Sequence, residues 1–170
     1  YNFMKELKSS SLPTERKDYL PDWPGFSSVF GSDVGGAGGK CHVTLDEKFE
    51  TDLASAPNPH MFLYDRLSRA IQQLCASRDA FEVIFIFLPT RWQNAFYATH
   101  GIGFDLHDKL KAQTAKMRIP IQLVREERSI TYPNRAGVMW HIGLALYAKA
   151  GGIPWKLVNT NQDHAYIGIS

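Results

Sequence analysis

The sequence predicts an α/β protein of the Rossmann-like kind, with a small parallel sheet flanked by helices and an extended arm at the amino-terminal end. Segments in which apolar residues recur at helical spacing alternate with short apolar segments typical of strands. Residues 82–88 are apolar almost throughout, as expected of a strand buried on both faces. The resulting order of helix, strand, helix, strand, helix, strand is that of βαβ units.

The elements follow from local patterns in chain order. Residues 1–26 contain three prolines and indicate an extended arm, with a short helix over 5–12. Five glycines in residues 31–40 predict a flexible loop, and the alternation in 41–45 favours a strand. The remaining pattern predicts helices over 61–76, 104–117 and 136–149, strands over 82–88, 121–124 and 165–169, and loops over 89–103 and 125–134. Gly151 and Gly152 are expected to stop the last helix.

Composition excludes several classes of protein. Apolar residues make up 44% of the chain and charged residues 21%, which is typical of a folded domain and not of a disordered one. The longest apolar run is too short to span a bilayer, and the first residues do not form a secretory signal. The net charge of +2 calls for a local patch if nucleic acid is to bind. Cys41 and Cys75, which are far apart, predict free thiols and a cytoplasmic setting.

Familiar catalytic and cofactor motifs are missing from the sequence. The run GGAGGKC at 35–41 lacks the first glycine and the Ser or Thr of a P-loop, and it leads into a predicted strand instead of a helix. No GxGxxG follows either clear strand, and no GxSxG elbow is present. The six histidines have no zinc-ligand spacing.

Four polar residues are predicted to converge on an anion. His107 and Lys111 are four residues apart on one helix face, Gln122 lies in the next strand, and Lys149 ends the last helix. Ligands of doubly wound sheets bind at the carboxyl ends of the strands, where helices begin, so we expect the cluster there. Two lysines, an amide, an imidazole and the N–H groups of a helix start suit a terminal phosphate.

Each of these residues also has an ordinary explanation. A His/Lys pair on a helix is usually solvated surface, and a lysine at a helix end interacts favourably with the helix dipole. Two other functions therefore stay open on this chemistry alone. One is a Rossmann-like domain that binds or acts on a small phosphorylated metabolite, and the other is an interaction scaffold without a ligand.

The stretch HIGLALYAKAGGIPWKL, followed by AYIGIS, resembles the junction between the MID and PIWI domains of Argonaute proteins. VIFIFLP and RIPIQLV resemble the core strands of a MID domain, and the resemblance covers roughly residues 60–170. It implies an arm and Gly-rich loop over 1–55, a MID-like guide-binding domain over 56–164 and the first strand of a truncated PIWI domain over 165–170. The chain, which does not begin with Met, is thus expected to be a fragment of a longer protein.

The resemblance also implies roles for individual residues. The positions with which the family holds the 5′ phosphate of a guide strand fall on His107, Lys111, Gln122 and Lys149. Arg91 and Trp92 lie in the loop that would meet the first guide base. Ala145 stands where many members have a second lysine. The resemblance therefore implies either a lower affinity for the phosphate or a Mg²⁺ ion at the guide 5′ phosphate that shares the charge.

Ser170 is the most informative departure from the family. Cleaving Argonautes carry a metal-binding aspartate there, and serine cannot replace a bridging carboxylate. The expectation is a nuclease-inactive, short prokaryotic Argonaute without chemistry of its own. Such a protein would bind guide RNA or DNA and a complementary target strand, and would signal to an APAZ-containing effector protein of the SIR2 or TIR type in defence against invading DNA.

Overall fold

A computed structural model of the chain describes residues 3–9, 11–35, 39–97 and 103–155. The helices and strands in this part are, in chain order, α1 (Phe3–Ser9), α2 (Phe26–Phe30), α3 (Phe49–Ser55), α4 (Pro59–Cys75), β1 (Ile84–Leu88), α5 (Leu106–Lys116), β2 (Ile121–Arg125), α6 (Glu126–Ser129) and α7 (Arg135–Lys149). Two 3₁₀ helices, Arg78–Ala80 and Thr90–Ala95, flank β1. The predicted strand over 165–169 lies outside the described residues.

The two strands form a parallel sheet, and α5 makes the crossover between them. The register pairs Ile84 with Ile121 and ends with Leu88 opposite Arg125. α5 packs on α4 and β2, while α7 packs on β2 and α1. The predicted α/β class, with a small parallel sheet flanked by helices, is therefore confirmed.

Side chains of β1 alternate between two hydrophobic cores, because successive residues of a strand point to opposite faces of the sheet. Ile84, Ile86 and Leu88 are buried in a core with α3, α4 and α5. Phe85 and Phe87 pack against the other core, which α1, α2 and α7 form with Trp23. The continuous apolar pattern of this strand follows from having a helical layer on each face.

The amino-terminal segment belongs to the second core. Leu12 and Trp23 exchange two backbone hydrogen bonds of 2.8 Å, which fold the segment back on itself. Trp23 is fully buried; its ring meets Trp140 edge-on at 5.0 Å, and its Nε1 donates to Glu6 O at 3.1 Å. Trp23 and Phe26 of the predicted arm are thus covered within the chain, because α1 and α7 pack in the same core.

Two local predictions of secondary structure were wrong. Residues 41–45 form no strand, since the alternating pattern finds no neighbouring strand with which to pair, and helix α3 follows soon after. The predicted loop over 125–134 contains the short helix α6. Cys41 and Cys75 are free thiols, as expected. In the part of the chain described, every helix is too short or too polar to cross a bilayer.

Candidate functional site

Two glycines fix the point at which α7 ends. Gly152 N donates to Tyr147 O and Gly151 N to Ala148 O, which is the hydrogen-bond pattern of a Schellman motif. Gly151 has a φ of 90°, which a residue with a side chain would adopt only with strain. A Cβ on Gly152 would lie 2.5 Å from the ring of Tyr147. The predicted stop is confirmed, and it makes Lys149 the last residue of the helix.

Lys149 reaches across to the first two residues of β2. Its Nζ lies 2.7 Å from Ile121 O and 2.6 Å from Gln122 Oε1. Pro120 O accepts from Ile84 N, so the next carbonyl, that of Ile121, points away from β1 toward the outer side of β2. Lys149 therefore joins the end of α7 to the outer edge of the sheet, and two of its three N–H donors are used there.

Lys111 adds a second positive charge to the surroundings of Lys149. The pKa of the Lys149 ammonium lies below the usual value of a lysine, first because the group is partly buried and then because of the positive charge of Lys111. Neither lysine forms an ion pair with a carboxylate within the described ranges of the chain. The structure thus brings Gln122 and Lys149 into direct contact from β2 and α7, and it places Lys111 of α5 where its charge acts on Lys149.

His107 lies one helical turn before Lys111, about 6 Å along the helix axis. Its side chain is 39% exposed, and Nδ1 lies 3.0 Å from Asp108 Oδ1. No contact joins its ring to Gln122 or Lys149 in the part of the structure that is described. His107 therefore lies one turn from Lys111 and takes no part in the contact between Gln122 and Lys149.

Asp105 was missed in the sequence, although an Asp just before a helical pattern is a common amino-terminal cap. Its Oδ1 accepts from His107 N at 2.8 Å and from Asp108 N at 3.4 Å. The backbone donors of the helix start, which were expected to serve the phosphate, are therefore already taken by this carboxylate. That part of the prediction was wrong.

The position of the cluster relative to the strands also differs from the prediction. α7 follows β2 and runs back along it, so its last residue reaches Ile121, the first residue of the strand. The cluster of Lys111, Gln122 and Lys149 consequently lies beside the amino end of β2 and not at the carboxyl ends of the strands. α5 begins near those carboxyl ends, because Tyr97 pairs with Asp105 and its hydroxyl accepts from Arg125.

Arg91 and Trp92 lie in the 3₁₀ helix after β1, against α3. Arg91 Nε donates to Glu50 Oε1 at 2.7 Å, and this hydrogen bond holds the pKa of the Glu50 carboxyl below its ordinary value. The Trp92 ring packs edge-on against Phe49 at 4.8 Å. Both residues line an open pocket of about 380 Å³ together with Glu50 and Leu53, and none of the four predicted phosphate-binding residues lines it. The structure therefore does not bring these two groups of residues together.

No protein-family model and no curated protein matches this chain. Ser170, the residue on which the prediction of an inactive nuclease rests, lies outside the described ranges.

The groups gathered in the cluster are of the kind that bind anions. A partly buried ammonium beside a second lysine is electrostatically unfavourable, and a bound anion relieves both the lost hydration and the repulsion. The third N–H of Lys149 and the ammonium of exposed Lys111 supply the donors. A dianion gains more than a monoanion from two adjacent cations, which favours a terminal phosphate over a carboxylate or a phosphodiester.

Replacing Lys111 with glutamine is expected to raise the pKa of Lys149, because the nearby positive charge is removed. The unfolded chain keeps its proton on Lys149 to higher pH than the folded chain does. The cost of this charge to stability is therefore present at neutral pH and is lost progressively as pH rises from the lowered pKa to the ordinary pKa of a lysine. NMR titration of the lysine side-chain Cε–Hε signals measures the shift, with Lys116→Gln, at the far end of α5, as the control. An unchanged Lys149 titration in Lys111→Gln would show that the two lysines do not interact.

Proposed function

We propose that this chain binds the 5′-phosphorylated end of a guide nucleic acid, as the guide-binding part of a catalytically inactive short prokaryotic Argonaute. The observation that supports the proposal is the cluster of Lys111, Gln122 and Lys149. Of the four residues that the Argonaute resemblance assigns to the phosphate, Gln122 and Lys149 are in contact, with Oε1 only 2.6 Å from Nζ, and the charge of Lys111 acts on Lys149. Nothing in their spacing along the chain requires that contact.

The surroundings of the cluster favour the end of a polymer over a small metabolite. Lys111 is exposed and Lys149 only partly buried, so an anion there stays open to solvent and a nucleic acid strand can continue outward. Metabolite sites are more often enclosed. In this proposal His107, one turn beyond Lys111, offers its imidazole face to the first base of the guide. Arg91 would first have to leave Glu50 to take part in reading a base.

A Mg²⁺ ion is the expected companion of the phosphate, and the neighbourhood of His107 offers ligands for it. One potential ligand atom from each of Asp105, His107 and Asp108 lies within 4.8 Å of the others. The two carboxylates suit Mg²⁺, whereas the imidazole is a less typical ligand for it. When bound there, the ion would supply positive charge where the two aspartates otherwise repel a phosphate. The affinity for a 5′-phosphorylated strand should then be higher in Mg²⁺ than in EDTA.

The rest of the proposal depends on the resemblance alone. In this proposal the chain has no enzymatic activity, and the parent protein acts in the cytoplasm. Guide RNA or DNA pairs with a complementary target strand, and the whole protein signals to an APAZ-containing effector. These steps involve residues outside the described ranges, including Ser170, or another protein.

The decisive measurement is the binding of a short single-stranded RNA, with either a 5′ phosphate or a 5′ hydroxyl, followed by fluorescence anisotropy. We expect the phosphorylated strand to bind more tightly by about 2–4 kcal/mol, since at least two charge-assisted hydrogen bonds depend on the phosphate. The preference should shrink as salt is added, because the site is open to solvent.

A competition experiment distinguishes the proposed function from the alternative, the binding of a small phosphorylated metabolite. A phosphorylated sugar or a nucleoside 5′-monophosphate at millimolar concentration should displace the strand only weakly, because it lacks the backbone that follows the first nucleotide. Equal binding of the two strands by a folded protein would refute the proposed function. Tight binding of the small phosphate with no preference for the strand would favour the metabolite function instead.

A further inference from the structure

The side-chain amide of Gln122 has both of its ends occupied within the protein. Its Oε1 lies 2.6 Å from Lys149 Nζ, and its Nε2 lies 3.1 Å from Leu123 O. The orientation of the amide is not ambiguous. An ammonium can only donate and a carbonyl can only accept, so the atom facing Lys149 is the oxygen and the atom facing Leu123 is the nitrogen.

This arrangement limits how Gln122 can take part in binding a phosphate. An amide could bind a phosphate only through the two N–H donors of its nitrogen, and here one of them is taken by the carbonyl of Leu123, which holds Nε2 against the strand. The Oε1 atom, an acceptor, would repel a phosphate oxygen. Lys149, in contrast, is held by two acceptors, Ile121 O and Gln122 Oε1, and keeps one donor for a ligand.

We infer that Gln122 is a positioning residue, which orients the ammonium of Lys149 for the 5′ phosphate and does not itself bind the phosphate. The inference rests on the proposed function of the site. Holding a flexible lysine in one place lowers the conformational entropy that is lost when the anion binds. The outer edge of β2 provides the rigid support, since Ile121 and Leu123 lie in the strand.

A double-mutant cycle tests this role, using the preference for a 5′-phosphorylated over a 5′-hydroxyl RNA as the readout. Gln122→Ala should reduce the preference roughly threefold to tenfold, because Lys149 loses one acceptor but keeps the other, Ile121 O. In the Lys149→Ala background the same change should have almost no further effect, because Gln122 acts only through Lys149. Gln72→Ala, which removes an exposed amide from α4, is the control. A Gln122→Ala loss that persists undiminished without Lys149 would mean that Gln122 binds the phosphate directly, and the inference would fall.

A measurement without any nucleic acid tests the contact itself. The amide oxygen stabilises the charged form of Lys149, so Gln122→Ala should lower the pKa of Lys149 further in NMR titration. Gln122→Met, which keeps the length of the side chain, gives the same readout if alanine disturbs the strand. An unchanged pKa in both variants overturns the positioning role. A wild-type protein that shows no preference for the phosphate, but whose Lys149 pKa responds to Gln122, overturns the proposed function and with it the purpose of the contact.

Discussion

Replacing Lys149 with alanine is expected to remove most of the preference for a 5′-phosphorylated strand. The change deletes the partly buried charge at the centre of the cluster, and a hydrogen bond to a charged group is worth about 1.5–3 kcal/mol. The ratio of the two affinities should therefore fall roughly tenfold to a hundredfold. Binding of the 5′-hydroxyl strand should change much less, because it depends on the sugar-phosphate backbone.

Lys116→Ala is the matched control for this experiment. It removes an exposed lysine from the end of α5 and leaves the cluster intact, so it should weaken both strands by the same small factor. Lys149→Ala must also be shown to be folded, by circular dichroism, because it removes the tie between α7 and β2. If folded Lys149→Ala keeps the full preference, this lysine serves only to hold the helix end to the strand.

Replacing Trp23 with alanine should have the largest effect on stability. The indole is fully buried between α1 and α7, and its Nε1 donates to Glu6 O. Emptying a site of this size usually costs about 3–5 kcal/mol. That is a large part of the 5–15 kcal/mol by which domains are typically stable. Urea unfolding, followed by circular dichroism, measures the loss as a shift of the midpoint with little change in slope.

Gly143 gives an independent view of the same packing. A Cβ on this residue of α7 would lie 2.6 Å from Trp23 Cη2, so the helix comes close to the indole only because position 143 has no side chain.

Tyr19→Ala, which removes a ring that is 66% exposed, is the control and should stay within about 0.5 kcal/mol of the wild type. A loss for Trp23→Ala no greater than that of Tyr19→Ala would contradict the burial of the amino-terminal segment in the second core.

The long elements could be predicted from the sequence because their patterns are local. α4 and α7 each carry several turns of apolar spacing, and β1 is an unbroken apolar run, so their predicted ends lie within about two residues of the observed ones. The short helices α2 and α3 could not be predicted in this way. A helix of five or seven residues is not stable by itself, and each of these two forms because Phe26 or Phe49 is buried by other parts of the chain.

Sequence reasoning named two residues that the structure brings into contact, but it did not give the geometry of that contact. Lys149 and Gln122 do meet, yet the meeting place follows from the path of α7 back along β2, which spacing in the sequence does not reveal. The same limit applies to Arg91, whose pairing with Glu50 depends on the unpredicted α3. Asp105 is a different case, because an Asp directly before a helical pattern by itself predicts an amino-terminal cap.

The outer edge of β2 bears on whether copies of this protein aggregate. The carbonyls that point away from β1 accept side-chain donors: Ile121 O from Lys149, Leu123 O from Gln122 and Arg125 O from Ser129. An exposed strand edge with vacant carbonyls is a template for aggregation by strand addition, and a lysine at such an edge is a common defence. A ligand that pulls the ammonium of Lys149 away from β2 leaves Ile121 O without this donor. Under the proposed function, the same side chain would therefore affect both the binding of a phosphate and the tendency of the protein to aggregate.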